Sequence, residues 1–425
     1  MFASSSRLDV CLLLEPKNGA HMKTLMSTNS LIPIVIKYNT YGAVTAKDMG
    51  RLVSALRRPH RIRGIDLTLS SSELDKFFKA TKCPFPALES LAIRSKDNLE
   101  PKIPATFLKG TNLHLRLRSL KLHPTTLTSI SRLLSSALTD LSLKINPDYR
   151  QPPDLSLLLS QLQGLPNLRH LDLEIIRFKI DMEQLRLTEP KEGFRLGKLT
   201  SFRYRGDSAS LDFLTMGFEA PSLQDVDICL YDRILTLSWI SHLPQFINDV
   251  GEQYRAVRVV LGSDYFDFSL LAGLKRVGHN SPQFRLHLSR HQDSSIQNWI
   301  MDITSVFLAK LSIIEELLII FRHTGDALEV IQWRTFLKLF PSVKEFRVQG
   351  TNNHRIASAL HQEPNAIFPV LETITIYAES YLEPLSALAI FQQFTSARQQ
   401  AGHPVKVSKV AWPWDVDLSL NIIRA

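Results

Sequence analysis

The sequence predicts an α/β fold, a solenoid shaped as a horseshoe or arc with a parallel sheet on the concave side and helices outside. Three observations predict it: an apolar triplet with the spacing L-x-x-L-x-L recurs, its copies are separated by similar intervals, and a proline often precedes a copy. Because one strand and one helix cannot bury their apolar faces alone, such units must stack on a continuous core.

The triplet occurs ten times in the chain. The copies are Ile62/Ile65/Leu67, Leu88/Leu91/Ile93, Leu117/Leu120/Leu122, Leu138/Leu141/Leu143, Leu168/Leu171/Leu173, Leu199/Phe202/Tyr204, Leu223/Val226/Ile228, Ile314/Leu317/Ile319, Val343/Phe346/Val348 and Leu371/Ile374/Ile376. Apart from one gap, successive central residues are 21 to 31 residues apart, close to the roughly 20 to 29 residues of a leucine-rich repeat. We therefore expect one strand at each triplet.

The gap lies between the central residues Val226 and Leu317, which are 91 residues apart. A stretch of that length would hold about three repeats. Two strands of less regular pattern are predicted within it, at Val257/Val259 and at Phe284/Leu286/Leu288.

Prolines and helical patterns accompany the triplets. An apolar residue and a proline stand just ahead of five copies, as Phe85-Pro86, Leu165-Pro166, Ala220-Pro221, Phe340-Pro341 and Phe368-Pro369. Proline has a fixed φ and no N–H, so it fits the beginning of a strand and stops a preceding helix. Helices are predicted at Ser71 to Ala80, Leu155 to Leu162, Trp333 to Leu339 and Leu385 to Arg398.

An apolar strand, Leu31 to Ile36, and a basic helix, Met49 to Arg58, are predicted ahead of the first triplet. With Ile62-Arg63-Gly64-Ile65-Asp66-Leu67 and Phe85-Pro86-Ala87-Leu88-Glu89-Ser90-Leu91 next in line, the chain resembles the F-box/leucine-rich-repeat proteins of mushroom-forming fungi. In that family the F-box, a small helical module, docks to the adaptor of a cullin-type ubiquitin ligase, and the repeats receive the protein to be ubiquitinated. The resemblance therefore implies the substrate-receptor part of such a ligase.

The resemblance also shapes the expected domain organisation. Residues 1–10 resemble the segment that follows an F-box, so we expect the F-box itself to be missing from this chain, and adaptor binding to require an F-box upstream. We predict an N-terminal cap and post-F-box-like segment at 1–61, irregular leucine-rich repeats at 62–378, and a C-terminal cap at 379–425.

Composition and charge limit the class of protein. The hydrophobic fraction of 44% and charged fraction of 21% are ordinary for a folded globular chain. No apolar run approaches the ~18 residues of a membrane helix, and Val10 to Leu14 is too short for a secretory signal. We expect an intracellular protein, cytoplasmic or nuclear, with no membrane partner. Residues 1–122 hold 20 Lys and Arg against 9 Asp and Glu, a balance of 20 − 9 = +11 within a total of +9.

Residues between and just after the triplet positions should face the concave side, where a partner can bind. Candidate partner-binding residues on this face are Lys121, Asp172, Glu174, Arg203, Arg205 and Arg347. The alternative is that they are ordinary solvated positions on the strands. Leu318 and Ile320 are apolar on the same face, so they form either a binding patch or a surface covered by the C-terminal segment, with Trp412 or Trp414.

A second candidate is the densest basic cluster of the chain, which includes Arg57, Arg58, Arg61 and Arg63. It is predicted to contact an acidic partner or a phosphate backbone. The alternative is an exposed helix end, where cations interact favourably with the helix dipole.

Sequence motifs of catalysis are absent. The chain has no glycine-rich phosphate loop, no GxSxG and no HExxH, and His287 and His291 are four apart with no third ligand near them. We therefore expect no enzyme activity, no catalytic residue, no metal site and no cofactor.

The sequence predicts a non-catalytic scaffold that binds a protein on its concave face. The alternative is a basic nucleic-acid-associated protein that binds through its N-terminal third, given the charge of residues 1–122. Charges of both signs along the concave face, without interleaved aromatics, favour a protein partner and make nucleic acid the weaker interpretation.

Overall fold

The computed structural model describes residues 33–39, 44–81, 84–104, 116–131, 133–145, 154–175, 193–231, 254–262, 265–274, 283–289, 300, 303, 306–322, 328–350, 353–378 and 385–411. The predicted segment 1–10 and the residues Leu31, Ile32, Trp412 and Trp414 lie outside this part of the chain. The chain forms two compact units, Met1–Leu223 and Gln224–Ala425, called unit 1 and unit 2 below.

Unit 1 is an array of parallel strands with helices between them. Its strands are β1 (Ile34–Asn39), β2 (Ile62–Leu69), β3 (Ser90–Ser95), β4 (Ser119–Thr125), β5 (Asp140–Ile145), β6 (His170–Ile175), β7 (Phe194–Arg195), β8 (Ser201–Gly206) and β9 (Phe218–Glu219). Its helices are α1 (Ala46–Ala55), α2 (Ser71–Ala80), α3 (Leu127–Ile130), α4 (Leu155–Gln163) and α5 (Ser208–Gly217), with a 3-10 turn at Pro59–Arg61. The sheet order is β1-β2-β3-β4-β5-β6-β8, all parallel, while β7 and β9 form a separate parallel pair.

Unit 2 continues the strand-and-helix alternation with one reversal. Its strands are β10 (Asp225–Leu230), β11 (Ala256–Leu261), β12 (Tyr265–Leu271), β13 (Gln283–Ser289), β14 (Glu316–Phe321), β15 (Glu345–Gln349), β16 (Thr373–Ala378) and β17 (Lys406–Ala411). Its helices are α6 (Leu308–Leu311), α7 (Val330–Leu337), α8 (Asn353–Gln362) and α9 (Leu385–Gln400). The sheet order is β10-β13-β12-β11-β14-β15-β16-β17, and β12 runs antiparallel to both neighbours.

All ten predicted triplets lie at strands, so the predicted α/β fold with stacked parallel strands is confirmed. Their central residues are also register partners: Leu91 pairs with Leu120, and Leu120 pairs with Leu141. These three side chains are at most 2% exposed. Fully burying a leucine side chain contributes about 1.5–3 kcal/mol, so the stacked triplets form the main core of each array.

The strands at both ends extend the parallel pairing beyond the predicted repeat range of 62–378. Strand β1 pairs with β2 on one side, and β17 pairs with β16 on the other. Both ends of the range therefore continue the sheet, while the assignment of residues 1–61 and 379–425 as caps stays a prediction.

Helix α2 shows why a helix begins where the sequence predicts it. The Ser70 hydroxyl accepts a hydrogen bond from the Glu73 amide, and the Glu73 carboxylate accepts one from the Ser70 amide at 2.9 Å, which forms a capping box. The same carboxylate accepts from the Val44 amide at 3.0 Å, just ahead of α1. The Glu73 carboxylate thus forms hydrogen bonds both at the beginning of α2 and just ahead of α1.

The five prolines have a different local role from the predicted one. In each copy the first triplet residue donates its amide to the carbonyl of the residue before proline, for example Leu88 to Phe85 at 3.1 Å and Leu168 to Leu165 at 3.1 Å. Proline is therefore the second residue of a tight turn, where its fixed φ is favourable. The strand begins later, at Ser90 in the first of these copies.

The gap between the triplets contains the reversed strand. Strands β11 and β13 confirm the two predicted strands of less regular pattern, but β12 between them was not predicted. Its Phe266, Phe268 and Leu270 alternate with Asp267 and Ser269, and the three apolar side chains are fully buried. This period of two, typical of a strand with one buried face, was the available signal. Because β12 runs antiparallel to β11 and β13, this segment departs from the parallel repeat that the triplets mark.

Candidate protein-binding face

Side chains between the triplet residues of unit 1 lie on one face of its sheet, which we call the open face. The buried and partly exposed residues alternate along each strand, as in β3, β6 and β8, because successive side chains of a strand point to opposite faces. Parallel register then aligns the partly exposed residues into rows that cross the strands. The open face is therefore a broad polar surface held by a hydrogen-bonded sheet.

The central row of this face follows one register position from β1 to β8. Its members are Lys37, Asp66, Ala92, Lys121, Ser142, Asp172 and Arg203. Lys37, Lys121 and Arg203 are exposed, whereas Asp66 and Asp172 are half-buried. Three of the six predicted partner-binding residues, Lys121, Asp172 and Arg203, therefore share this row.

A second row lies two residues further along the strands and contains two more of the predicted partner-binding residues, Glu174 and Arg205. Glu174 pairs with Lys144 on β5, with 2.9 Å between the Lys144 Nζ and Glu174 Oε1 atoms. Arg205 Nη1 lies 3.9 Å from Asp172 Oδ1 in the central row. Five of the six residues thus belong to one charged surface in unit 1.

The acidic groups of this surface already have cationic or hydroxyl partners. Asp66 Oδ1 accepts from Arg94 Nη1 at 3.2 Å, and Asp172 Oδ2 accepts from the Ser142 hydroxyl at 2.9 Å. Both partners come from neighbouring strands in the same sheet. The pairs orient the charged side chains across the strands but contribute little stability, since exposed ion pairs are worth about 0–1 kcal/mol.

A short hydrogen-bond chain runs from His123 through Ser142 to Asp172. Because the Ser142 hydroxyl donates to Asp172, His123 Nε2, at 2.9 Å from the Ser142 oxygen, acts as the donor to that oxygen. Burial lowers the pKa of His123 to about 4. The negative charges of Asp172 and Glu174 raise this pKa, whereas the positive charges of Arg94 and Lys144 lower it. The imidazole is therefore neutral at neutral pH and its Nε2 carries the proton.

The basic cluster is only partly at the surface. Arg57 is exposed, Arg58 is half-buried, and Arg61 is buried at 6% exposure, where burial and the neighbouring Arg58 lower its pKa. Arg63 pairs with Glu89 at 3.3 Å. The structure thus presents Arg57 to a partner far more than Arg61.

Arg347, the sixth predicted residue, lies in unit 2 on β15. Its guanidinium pairs with Glu345 at 2.8 Å and with Glu316 at 3.6 Å, and its side chain is 11% exposed. Beside it, Leu318 and Ile320 are buried together with Val260, and Tyr265, Leu274 and Tyr377 pack against this group. The described residues therefore cover the two apolar side chains, while the predicted cover by Trp412 or Trp414 lies outside those residues.

A buried carboxylate on the reversed strand was missed by the sequence analysis. Asp267 is fully buried; its Oδ2 accepts from Arg285 Nε at 3.0 Å and Nη2 at 2.8 Å, and its Oδ1 accepts from the Ser269 hydroxyl at 3.0 Å. Arg258 Nη2 on the other flanking strand lies 3.7 Å from Oδ1. The carboxylate thus connects β11, β12 and β13. An acidic residue within the period-two pattern of β12 was the one signal for it.

The ionisation of Asp267 follows from these contacts. Burial alone raises the pKa of its carboxyl, but His287, Arg285 and Arg258 outweigh burial and hold the pKa well below its usual range. His287 Nδ1 lies 3.8 Å from Asp267 Oδ2, which is beyond hydrogen-bond distance. Cys229 is the register partner of His287.

Comparison with protein-family models gives no match, and neither does comparison with curated proteins. Among solved structures, the chain is similar to the leucine-rich repeat-containing protein LegL7 from Legionella pneumophila. The identity is 10%, the match covers 85% of this chain and 87% of that chain, and the TM-score is 0.22. The fold assignment rests on the strand pairing within each unit.

Two further properties bear on the kind of site. Within the described ranges, no three His, Cys, Asp or Glu side chains are grouped closely enough to hold a metal ion. Among the helices that the structure describes, none is long and apolar enough to cross a bilayer.

We expect His123 to make unit 1 sensitive to mild acid. Its folded pKa of about 4 lies below the unfolded value of about 6.5, so the unfolded state binds the proton first as pH falls. The free energy of unfolding should therefore fall between about pH 6.5 and 4, by about 2 kcal/mol at pH 5.

Hydrogen exchange of the β4 and β5 amides, compared at pH 7 and pH 5, measures this loss. His123→Gln keeps an amide donor near the position of Nε2 and cannot titrate, so it should lose less stability over the same range. An equal loss in the wild type and in His123→Gln would show that other groups cause the acid sensitivity.

Replacing Asp267 with Asn should strongly destabilise the reversed strand. The change leaves two partly buried guanidinium groups without their anion, which typically costs about 3–5 kcal/mol. Asp66→Asn is the matched control, because it removes an exposed ion pair worth about 0–1 kcal/mol. Hydrogen exchange of the β12 amides in the first variant and of the β2 amides in the second measures both losses of stability. If the two variants lose similar stability, burial of Asp267 does not make its ion pairs more important than the exposed one.

Proposed function

We propose that the chain is a non-catalytic scaffold that binds another protein on the open face of unit 1. The central row carries the proposal: three exposed cations and two half-buried acids stand in one register line across seven strands. Because each strand of the row is hydrogen-bonded to at least one neighbouring strand, these side chains lie on a preorganised support. Preorganisation lowers the entropy lost on binding.

The charge pattern supports a protein partner over nucleic acid. Cations and acids alternate along the central row of the open face, and complementary patterns of both signs give protein interfaces their specificity. None of the described residues in the two rows of this face is Phe, Tyr or Trp, whereas proteins that bind single strands stack bases on aromatics. The nucleic-acid alternative stays a prediction from the charge of residues 1–122.

A photo-crosslinking side chain tests the proposal. Placed at Ala92, between Asp66 and Lys121 in the central row, it should form protein adducts in native lysate. Placed at the exposed Lys76 on α2, it should form few, because that site lies on a helix rather than on the open face. Equal adducts from both positions, or adducts from Lys76 alone, would remove the open face as the binding surface.

A finer proposal follows from the sequence resemblance alone: the chain is the substrate-receptor part of a cullin-type ubiquitin ligase. Adaptor binding would then need an F-box, so the chain as given should not retain the adaptor in a pull-down. An extended form encoded by any upstream F-box sequence should retain it. Failure of such an extended form would exclude the ligase role without affecting the scaffold.

A further inference from the structure

We propose that unit 1 binds an acidic helix of a partner protein at the amino ends of its strands, with carboxylates of that helix on Arg118 and Arg169. The inference adds a second surface to the proposed function and does not depend on the central row of the open face. Its basis is a line of residues that carries fewer acids in unit 1 than in unit 2.

One residue stands immediately before each of the strands β3, β4, β5, β6 and β8, and backbone hydrogen bonds join these residues across the sheet. Each later member donates its amide to the carbonyl of the member before it, at 2.8 Å in all four cases. We call this set the amino-end line, and its members are Glu89, Arg118, Thr139, Arg169 and Thr200. Two arginines therefore occupy alternate strands of one line.

The equivalent line of unit 2 alternates cations with acids. The residues immediately before β11, β14, β15 and β16 are joined by the same backbone hydrogen bonds and are Arg255, Glu315, Lys344 and Glu372. Lys344 Nζ lies 3.3 Å from Glu315 Oε1. The position that follows a cation is thus acidic in unit 2, whereas in unit 1 it is Thr139 after Arg118 and Thr200 after Arg169. A carboxylate is the group that the chain itself places beside the cations of such a line.

The two threonines contact the backbone of the arginine residues. The Thr139 hydroxyl lies 3.1 Å from the Arg118 carbonyl oxygen, and the Thr200 hydroxyl lies 3.1 Å from the Arg169 carbonyl oxygen. The Arg118 and Arg169 side chains are exposed, and within the described part of the chain neither guanidinium has an ion pair or a hydrogen bond. Two identical arginine–threonine pairs thus present two guanidinium groups to solvent.

The acids near the line lower its positive charge but do not cancel it. Glu89 pairs with Arg63 on β2 at 3.3 Å. Asp140, the first residue of β5, has Oδ2 2.6 Å from the Thr139 hydroxyl. The segments 87–90, 116–119, 137–140, 167–170 and 198–201 contain four Lys and Arg against these two acids, a balance of 4 − 2 = +2. The four cations are Arg116, Arg118, Arg169 and Lys198.

A helix matches the interval between the two arginines. Neighbouring strands lie about 4.8 Å apart, so Arg118 and Arg169, two strands apart in the sheet order, are separated by about 10 Å. A helix rises about 1.5 Å per residue, so residues i and i+7 are about 10 Å apart and lie on one face. In an extended chain three residues span about 10 Å, but residues i and i+3 point to opposite sides. A helix with Glu at i and i+7 can therefore place one carboxylate on each guanidinium, which binds carboxylates through paired N–H donors.

A nucleic-acid strand fits the same line less well. Phosphates of one DNA strand follow each other every about 3.4 Å along the axis, so phosphates between the two arginines would lie near the carboxylate of Asp140. None of the residues in the five segments is Phe, Tyr or Trp, so none can stack a base as the aromatics of single-strand binders do. The observations therefore favour a partner with few acids on one helical face.

Fluorescence anisotropy with the full chain and synthetic helices tests the proposal. The heptad peptide has 21 residues with blocked ends, Glu at positions 4, 11 and 18, and Ala and Gln elsewhere. The control peptide has the same composition with Glu at positions 4, 9 and 14, which point to different faces. Circular dichroism checks that both peptides have equal helix content. We expect the heptad peptide to bind about tenfold more tightly, and added salt to weaken its binding because exposed charges are screened.

A charge-neutralising variant locates the contact. The double variant Arg118→Gln, Arg169→Gln should weaken binding of the heptad peptide about tenfold, equivalent to about 1.4 kcal/mol. The matched control Lys47→Gln, Lys76→Gln removes the same charge from exposed positions on α1 and α2 and should leave binding within about twofold. Circular dichroism checks that each variant remains folded.

A second variant keeps both arginines and supplies the acids that unit 2 has. In Thr139→Glu, Thr200→Glu each new carboxylate stands beside Arg118 or Arg169 in the amino-end line, so it competes with the carboxylates of the peptide. We expect binding of the heptad peptide to fall about tenfold in this variant as well. The variant tests the inference even if removal of the two arginines unfolds the chain.

Four results would overturn the inference: no binding of the heptad peptide, equal binding of both peptides, unchanged binding in the Thr139→Glu, Thr200→Glu variant, or tighter binding of an oligothymidylate than of the heptad peptide. An equal loss in the arginine variant and in its lysine control would overturn it too, since the effect would then be one of net charge. Crosslinking from Ala92 keeps the two surfaces separate. Protein adducts at Ala92 without peptide binding would leave the open face as the binding surface and remove the amino-end line.

Discussion

Burial of the apolar triplets is the constraint on which the arrangement of unit 1 depends. Leu91, Leu120 and Leu141 come from successive strands, are register partners, and are almost completely removed from water. Shifting one strand by a single residue would move the second and third triplet residues, which lie within the strand, to the open face and expose two large apolar side chains. The loss of several kcal/mol for each such slip fixes the register of the whole array.

The polar rows of the open face are a consequence of that register. The register fixes which side chains are adjacent on neighbouring strands. The residue on the adjacent strand therefore decides whether a charged side chain is paired or stays exposed. Lys144 stands beside Glu174 and pairs with it at 2.9 Å. Lys121 stands beside Ala92 and Ser142 and remains exposed. One lysine therefore orients its neighbour, and the other is available to a partner.

The reversed strand β12 lies where the triplet pattern is interrupted, and it supplies the buried apolar residues of the sheet there. Its Phe266, Phe268 and Leu270 supply the buried face that a triplet would otherwise supply. The opposite side of the strand places Asp267 among side chains that exclude water, and a carboxylate there is tolerated only when it is paired. Arg285 and Arg258 arrive from the two flanking strands and provide the charge. The apolar group of Val260, Leu318 and Ile320 covers the neighbouring part of this sheet face with side chains of the chain itself.

The sequence by itself determined the strands at the ten triplets, their buried residues and the residues that lie between them. Each triplet is a local pattern whose apolar side chains must be buried, which is why all ten appear as strands and why Lys121, Asp172 and Arg203 could be placed on one face in advance. The period of two in β12 was equally local, but its direction was not, because pairing order depends on contacts between residues far apart in the chain. The burial of Asp267 and of Arg61, the partners of Arg347 and the neutral state of His123 were likewise decided by the tertiary structure. Local spacing fixes which side of a strand a residue occupies, whereas its exposure and charge depend on neighbours that only the folded chain brings together.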